Sequence, residues 1–182
     1  MKRSTDGVAG ATGEDRRNLL QRVFAERYGG KPEAWVRAPG RVELLGTDTD
    51  DAEGYVLTMA IDRDTWIAFG RREPGSTGEP RRCNLYSLNL DSEIAFEVPL
   101  PQGAGAEASA AEAAAANEAA VSLPDNLEAW GSYVYGVLDL VSREGFEVPG
   151  FTAVVHSTVP IGGGLSSSAS LELAVLMMAQ HL

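Results

Sequence analysis

Three glycines followed by three serines constrain this chain more than any other stretch. They stand in Pro160-Ile161-Gly162-Gly163-Gly164-Leu165-Ser166-Ser167-Ser168-Ala169. An apolar, β-branched run, Phe151 to Val159, leads in, and an apolar Ala/Leu/Met-rich run, Leu171 to Leu182, leads out. The order reads strand, glycine loop, helix. Glycines let backbone N–H groups approach a ligand with no Cβ in the way. The helix start adds unpaired N–H groups and the positive end of a dipole. That combination suits a polyphosphate. Serine hydroxyls suit phosphate oxygens or Mg²⁺, which prefers oxygen ligands. The loop is not a Walker A, since no Lys follows the glycines, and it lacks the G-x-G-x-x-G spacing of a dinucleotide fold.

A second stretch reads as strand, loop, strand. Ala38-Pro39-Gly40-Arg41-Val42-Glu43-Leu44-Leu45-Gly46 reads as a strand entered through a Pro-Gly turn. Thr47-Asp48-Thr49-Asp50-Asp51-Ala52-Glu53-Gly54 is a polar, acidic loop, and Tyr55 to Asp62 returns as a strand. The acidic tip reads either as a solvated turn or as a set of polar groups on a rigid hairpin.

The two stretches together resemble the GHMP kinases, with the galactokinase branch the best fit. Residues 159–172 are similar to that family's phosphate-binding motif. Residues 38–62 resemble its sugar-site signature, matching at Arg41, Val42, Leu44, Gly46, Thr49, Asp50, Gly54, Val56, Leu57, Met59, Ala60, Ile61 and Asp62. Thr47 and Asp48 stand where the family has Glu-His, Glu43 replaces Asn, and Asp51 replaces an aromatic. Trp130-Gly131-Ser132-Tyr133-Val134-Tyr135-Gly136 is similar to the family's Trp-x-Asn-Tyr-Val-x-Gly helix.

The resemblance implies an ATP-dependent sugar kinase, phosphorylating the anomeric hydroxyl of galactose or a related sugar with Mg²⁺. It implies that Gly162, Gly163, Gly164, Leu165, Ser166, Ser167 and Ser168 hold the nucleotide phosphates, that Ser168 ligates the metal, and that Arg41 sits by the transferred group. Thr47, Asp48 and Asp50 take the substrate-binding positions; of the family's loop residues only Asp50 carries over intact. The family's catalytic aspartate and C-terminal domain are expected beyond Leu182, so the 182 residues correspond to an amino half and are expected to be inactive alone. A non-catalytic ATP or sugar sensor, or a truncated inactive product, is the other reading that this composition of motifs permits.

The rest of the chain fits one domain. Met1 to Glu14 is Gly/Ser/Thr/Asp-rich and reads as disordered. Leu19, Leu20, Val23, Phe24 and Tyr28 recur at helical spacing before Gly29-Gly30. Trp66 to Arg72 continues the second strand; Asn84 to Leu90 and Ile94 to Val98 read as two more. Pro99 to Ser122 is a low-complexity Ala/Glu/Gly insertion without an apolar face. Leu127 to Val141 reads as a helix capped at Asp125-Asn126. The fold class is therefore α+β: a mixed or antiparallel sheet with helices on one face over residues 15–182. The resemblance adds a ribosomal-protein-like topology with a left-handed βαβ crossover.

Composition excludes some partners. A net charge of −11 argues against nucleic acid or an anionic membrane surface. The single cysteine, Cys83, makes no internal disulfide and reads as a small strand residue in a reducing, cytoplasmic setting. His156 reads as a strand histidine rather than a catalyst. Arg63, Arg71, Arg72, Arg81 and Arg82 read as solvated strand ends and turns.

Overall fold

In the computed structural model, described for residues 13–46, 54–72, 81–100, 123–124 and 127–182, the chain forms three helices and five strands. In chain order these are α1 (Gly13–Tyr28), β1 (Ala34–Leu45), β2 (Leu57–Arg71), β3 (Arg82–Ser87), β4 (Ser92–Glu97), α2 (Ala129–Arg143), β5 (Phe151–Ser157) and α3 (Ser167–His181). The strands make one mixed sheet in the order β1-β2-β5-β3-β4. All neighbours are antiparallel except β3 and β5, which run parallel. A parallel pair needs a long connection; here β4 and α2 supply it.

Alternation along the central strands sorts side chains to two faces. Ile67, Phe69, Ala153 and Val155 join Leu85, Val134, Leu138, Val175 and Met178 in the larger core, under α2 and α3. Ala68, Val154 and Tyr86 point the other way and meet Leu20, Val23 and Phe24 of α1. The expected mixed sheet with helices packed on a face thus describes α2 and α3, while α1 covers the opposite face. The period-2 pattern of β2 explains this: it is apolar on both sides over 66–69, as a strand covered on both faces must be. Phe69, Phe151, Leu85 and Leu138 are fully enclosed, each contributing about 1.5–3 kcal/mol through burial.

Several boundaries differ from expectation. The helix α1 starts at Gly13, two residues inside the stretch read as disordered. β2 runs unbroken from Leu57 to Arg71, beginning two residues after the expected Tyr55. β3 ends at Ser87, because residues 88–91 turn and Asp91 takes a positive φ of 50°. The N-cap of α2 is Glu128, and its side chain makes no cap hydrogen bond; Asp125 and Asn126 lie outside the described residues. So do residues 1–12, Thr47, Asp48, Asp50 and residues 101–122 of the low-complexity insertion.

One buried polar network ties α1 to the sheet. Arg16 pairs with Asp64 through the side chains, and its Nη2 also donates to the Asp64 and His156 carbonyls at 3.2 and 3.3 Å. Arg37 pairs with the second Asp64 oxygen. Asp64 is 4 % exposed and Arg16 6 %, so each ion offsets the other's desolvation. Cys83 is wholly buried in β3, 3.3 Å from the Phe96 carbonyl. Burial pushes its thiol up to about 12, which removes the thiolate needed for reactivity.

Candidate functional site

The exit from β5 is held on both sides before the glycine loop begins. The Asn89 side chain exchanges two 2.8 Å hydrogen bonds with the Ser157 backbone and so extends the sheet pairing past the end of β3. The Thr158 N–H donates to the Asp64 carbonyl at 2.9 Å, and the Asp64 N–H to Thr158 Oγ1 at 3.1 Å. The same Asp64 anchors Arg16, so the root of the loop and the α1 face share one buried residue.

Positive φ then recurs at every second residue: Gly162 at 73°, Gly164 at 69° and Ser166 at 59°. An alternating backbone of this kind turns N–H groups toward one side and forms a concavity suited to anions. Ser166 is the exception to glycine, since a left-handed non-glycine residue costs about 1–2 kcal/mol. It is the N-cap of α3, yet its side chain makes no cap hydrogen bond. The hydroxyl is therefore not used to hold the helix end.

What brings β1 to this loop is Gly40. The β1–β2 register shifts between Pro39 and Arg41. There the Arg41 N–H donates to the Leu165 carbonyl at 3.2 Å. A Cβ on Gly40 would sit 2.9 Å from that carbonyl oxygen and 3.1 Å from both Val159 and Ile61 side-chain carbons. Close backbone approach thus requires glycine here. One turn into α3, Ser170 is buried, its Oγ 2.9 Å from the Ala38 carbonyl and 2.8 Å from Thr65 Oγ1. The fourth serine of the run is a fastening between helix and sheet, not a ligand group.

A cavity of about 840 Å³ opens at this junction. Arg41, Gly162, Gly164, Ser166, Ser167 and Ser168 all line it. Gly163 and Leu165 belong to the loop but not to the wall; the Leu165 carbonyl instead receives Arg41. The structure therefore assembles Arg41 and the serines into one place. Thr47, Asp48 and Asp50 lie outside the described residues.

Of the wall residues that sequence reasoning did not single out as site groups, three bear most on the chemistry. Trp130 and Tyr133 line the cavity from the first turn of α2. The Trp130 indole N–H donates to Ser92 Oγ at 3.2 Å, which in turn donates to Glu128 at 2.6 Å, so the ring is oriented from β4. Their spacing within an apolar stripe looks like core packing, and only the cavity distinguishes them. Glu43 is the third. It accepts from Arg41 Nη2 at 3.2 Å, and both side chains are partly exposed. Residues two apart on a strand share a face, which was the available signal.

The remaining titratable residue of β5 is elsewhere. His156 is buried on the α1 side of the sheet, and burial first, then the neighbouring Arg16 charge, lowers its pKa to about 4. It does not line the cavity. No group of three or more His, Cys, Asp or Glu suited to a metal occurs among the described residues.

Comparison with known proteins points one way. Residues 22–71 match the family model for the galactokinase galactose-binding signature, and residues 132–182 that for the GHMP kinases N terminal domain. The chain is 40% identical to galactokinase from Homo sapiens over 167 residues, covering 89% of this chain and 36% of the relative. It is 40% identical to galactokinase from Thermococcus kodakarensis over 143 residues, 78% of this chain and 31% of that one. The crystal structure of Lactococcus lactis galactokinase complexed with galactose superposes with a TM-score of 0.66 at 29% identity, over 91% of this chain and 37% of that chain. A mevalonate kinase structure shares the fold at 20% identity and a TM-score of 0.53. The chain spans about a third of the length of the curated relatives it matches.

Proposed function

This chain belongs to the GHMP kinases, as a galactokinase-like N-terminal domain of that family, and from that premise we propose that it builds the phosphate-handling half of a sugar kinase site. ATP is the phosphoryl donor and the anomeric hydroxyl of galactose or a related sugar is the acceptor. The observation that carries this reading is the shared cavity: Arg41, the glycine loop and the α3 N-terminus face one space of about 840 Å³. Phosphoryl transfer asks the protein mainly for positioning and charge stabilisation. Backbone N–H groups of Gly162, Gly164 and Ser166, which line the cavity, cradle the phosphates, and the Arg41 guanidinium meets charge on the transferring group. Trp130 and Tyr133 also line the cavity and offer flat surfaces suited to a nucleobase.

The residues present fit a magnesium ion of the kind that arrives with a nucleotide. Mg²⁺ keeps waters and takes few protein ligands beside substrate phosphates, so the absence of a carboxylate cluster among the described residues is no obstacle. Ser168, which lines the cavity, is the hydroxyl that would ligate it. The ion supplies charge neutralisation at the phosphates. Thr47, Asp48 and Asp50, which come after β1 in the sequence, are the proposed sugar contacts. With Thr47 and Asp48 in place of a Glu-His pair, the sugar hydroxyls meet a different donor set, since an ionised Asp only accepts. The acceptor is accordingly tested across a sugar panel rather than with galactose alone.

The test is sugar-dependent ADP release from Mg-ATP by the polypeptide as it occurs in its source. Arg41→Ala and Ser168→Ala should each lower kcat/KM by about 10²–10³-fold, the scale for removing one positioned donor. Unchanged kcat/KM in both variants overturns the assignment. Tight nucleotide binding with no sugar-dependent turnover makes the chain a sensor instead.

A further inference from the structure

A second cavity, of about 530 Å³, lies at the other end of the sheet and belongs to no part of the site above. It is lined by Arg27 and Tyr28 of α1, Arg71 and Arg72 at the end of β2, Asn84 of β3, Glu93 of β4 and Thr152 of β5. β5 runs from this cavity at Thr152 toward the glycine loop beyond Ser157. Its seven residues put roughly 20 Å between the two.

The lining holds three guanidiniums against one carboxylate, in a chain whose net charge is −11. The partners of the arginines matter more than their number. Arg72 Nη1 donates to the neutral Asn84 Oδ1 at 2.9 Å. Arg71 Nη2 donates to the His181 backbone carbonyl at 3.2 Å, while its backbone N–H donates to Glu33 at 3.0 Å. Of the three, Arg27 alone has a side-chain ion pair among the described residues, with Glu93 at 3.2 Å, and its guanidinium lies 3.2 Å from the centre of the Tyr86 ring. Glu93 is itself shared, accepting also from the Tyr28 hydroxyl at 3.2 Å and from Asn84 at 3.4 Å. The Arg71 and Arg72 guanidiniums are thus oriented by neutral acceptors, with no carboxylate paired to either among the described residues. A guanidinium held this way has lost its side-chain freedom in advance and keeps further N–H groups for a ligand.

We propose that this cavity is a second anion site, distinct from the nucleotide site, which takes a small polyanion: a phosphoryl group or a compact polycarboxylate. Guanidinium forks match both, and the local excess of about two positive charges matches a dianion. The Tyr28 and Thr152 hydroxyls complete the donor set. Because the lining comes from α1, β2, β3, β4 and β5, an occupant bridges elements distant in sequence and stabilises the folded chain by mass action. The site does not depend on the kinase reading.

The experiment titrates the full chain with inorganic phosphate and with citrate by calorimetry and by thermal denaturation, against sodium chloride at equal ionic strength. The variants are Arg72→Gln, Arg27→Gln and Ser168→Ala. Arg27 is on an exposed helix surface, so its variant keeps the test valid if Arg72→Gln fails to fold. The expected result is saturable binding, weakened about five- to tenfold by either arginine change, in line with the loss of one charge-assisted contact, and unaffected by Ser168→Ala. Amide shifts at Thr152 and Asn84 should follow the same isotherm. Binding that survives both arginine changes and is lost in Ser168→Ala overturns the proposal, because the anion then sits at the glycine loop. Stabilisation no greater than that by chloride overturns it too.

Discussion

The two ends of β5 offer donors suited to anions by opposite means. Past Ser157 the donors come from backbone: positive φ at Gly162, Gly164 and Ser166, and the N-terminus of α3. Before Phe151 they come from side chains, the guanidiniums of Arg27, Arg71 and Arg72. Backbone donors are directional, uncharged and fixed by the fold, so they position a ligand. Guanidiniums carry full charge and reach through solvent, so they attract one. A catalytic pole profits from the first property, since a displacement of about 1 Å at a reacting group costs on the order of 10²-fold in rate. A pole that only binds profits from the second.

This difference has a direct test with a large expected effect. Gly40→Ala places a Cβ 2.9 Å from the Leu165 carbonyl oxygen. The loop must retreat, and the 3.2 Å bond from the Arg41 N–H to Leu165 is lost. We expect kcat/KM of the kinase to fall by about 100-fold, with phosphate binding at the arginine pole unchanged. An equal loss at both poles would mean that Gly40 acts through stability rather than through the loop.

The poles also differ in how far they are legible from sequence. The glycine loop is ten consecutive residues, and strand, turn and helix signals flank it, so its place between the end of a strand and the start of a helix follows from local rules. Arg41 was found through a resemblance to a signature, and the structure supplies its physical reason: Gly40 lets β1 touch the loop. Trp130 and Tyr133 were legible as helix but not as wall, because helical spacing fixes which residues share a face and not what stands opposite. The arginine cavity was less legible still. Arg71 and Arg72 read as strand-end residues, and nothing in the sequence brings Arg27, 44 positions earlier than Arg71, beside them. The face covered by α1 is a similar case. The run at 66–69 is apolar throughout, and only the tertiary placement of Leu20, Val23 and Phe24 shows that the second face is used.

At the root of the glycine loop lies the buried Arg16–Asp64 pair, with the His156 carbonyl on Arg16, and acid should loosen this fastening. The His156 pKa falls from 6.5 to about 4 on folding, through burial and then the charge of Arg16. Between those values the unfolded chain binds a proton that the folded chain excludes. Stability therefore falls as pH drops from about 6.5 toward about 4, and His156 adds no pH dependence above that window. One such group gives a slope of at most about 1.4 kcal/mol per pH unit. Urea midpoints measured from pH 7 to pH 5 should show it, and His156→Asn should flatten the profile. A profile unchanged by that variant assigns the acid sensitivity to other groups.

A smaller effect sharpens the contrast from the other direction. Arg41 is the one guanidinium lining the glycine-loop cavity among the described residues, and Glu43 partly neutralises it at 3.2 Å. At the arginine pole, Arg71 and Arg72 have no ion-pair partner among the described residues. Glu43→Gln preserves shape and hydrogen-bonding reach but removes the opposing charge, and so makes the catalytic pole more like the other. The pair is about half exposed on the arginine side and a third on the carboxylate side, which places its strength in the 0.2–1 kcal/mol range of surface pairs. Nucleotide affinity should accordingly rise by no more than about fivefold, and the gain should shrink with added salt. Phosphate binding at the arginine pole should not change. Weaker nucleotide binding in Glu43→Gln would show that Glu43 holds Arg41 in position, and that the catalytic pole uses its wall guanidinium as it uses its backbone, for placement more than for charge.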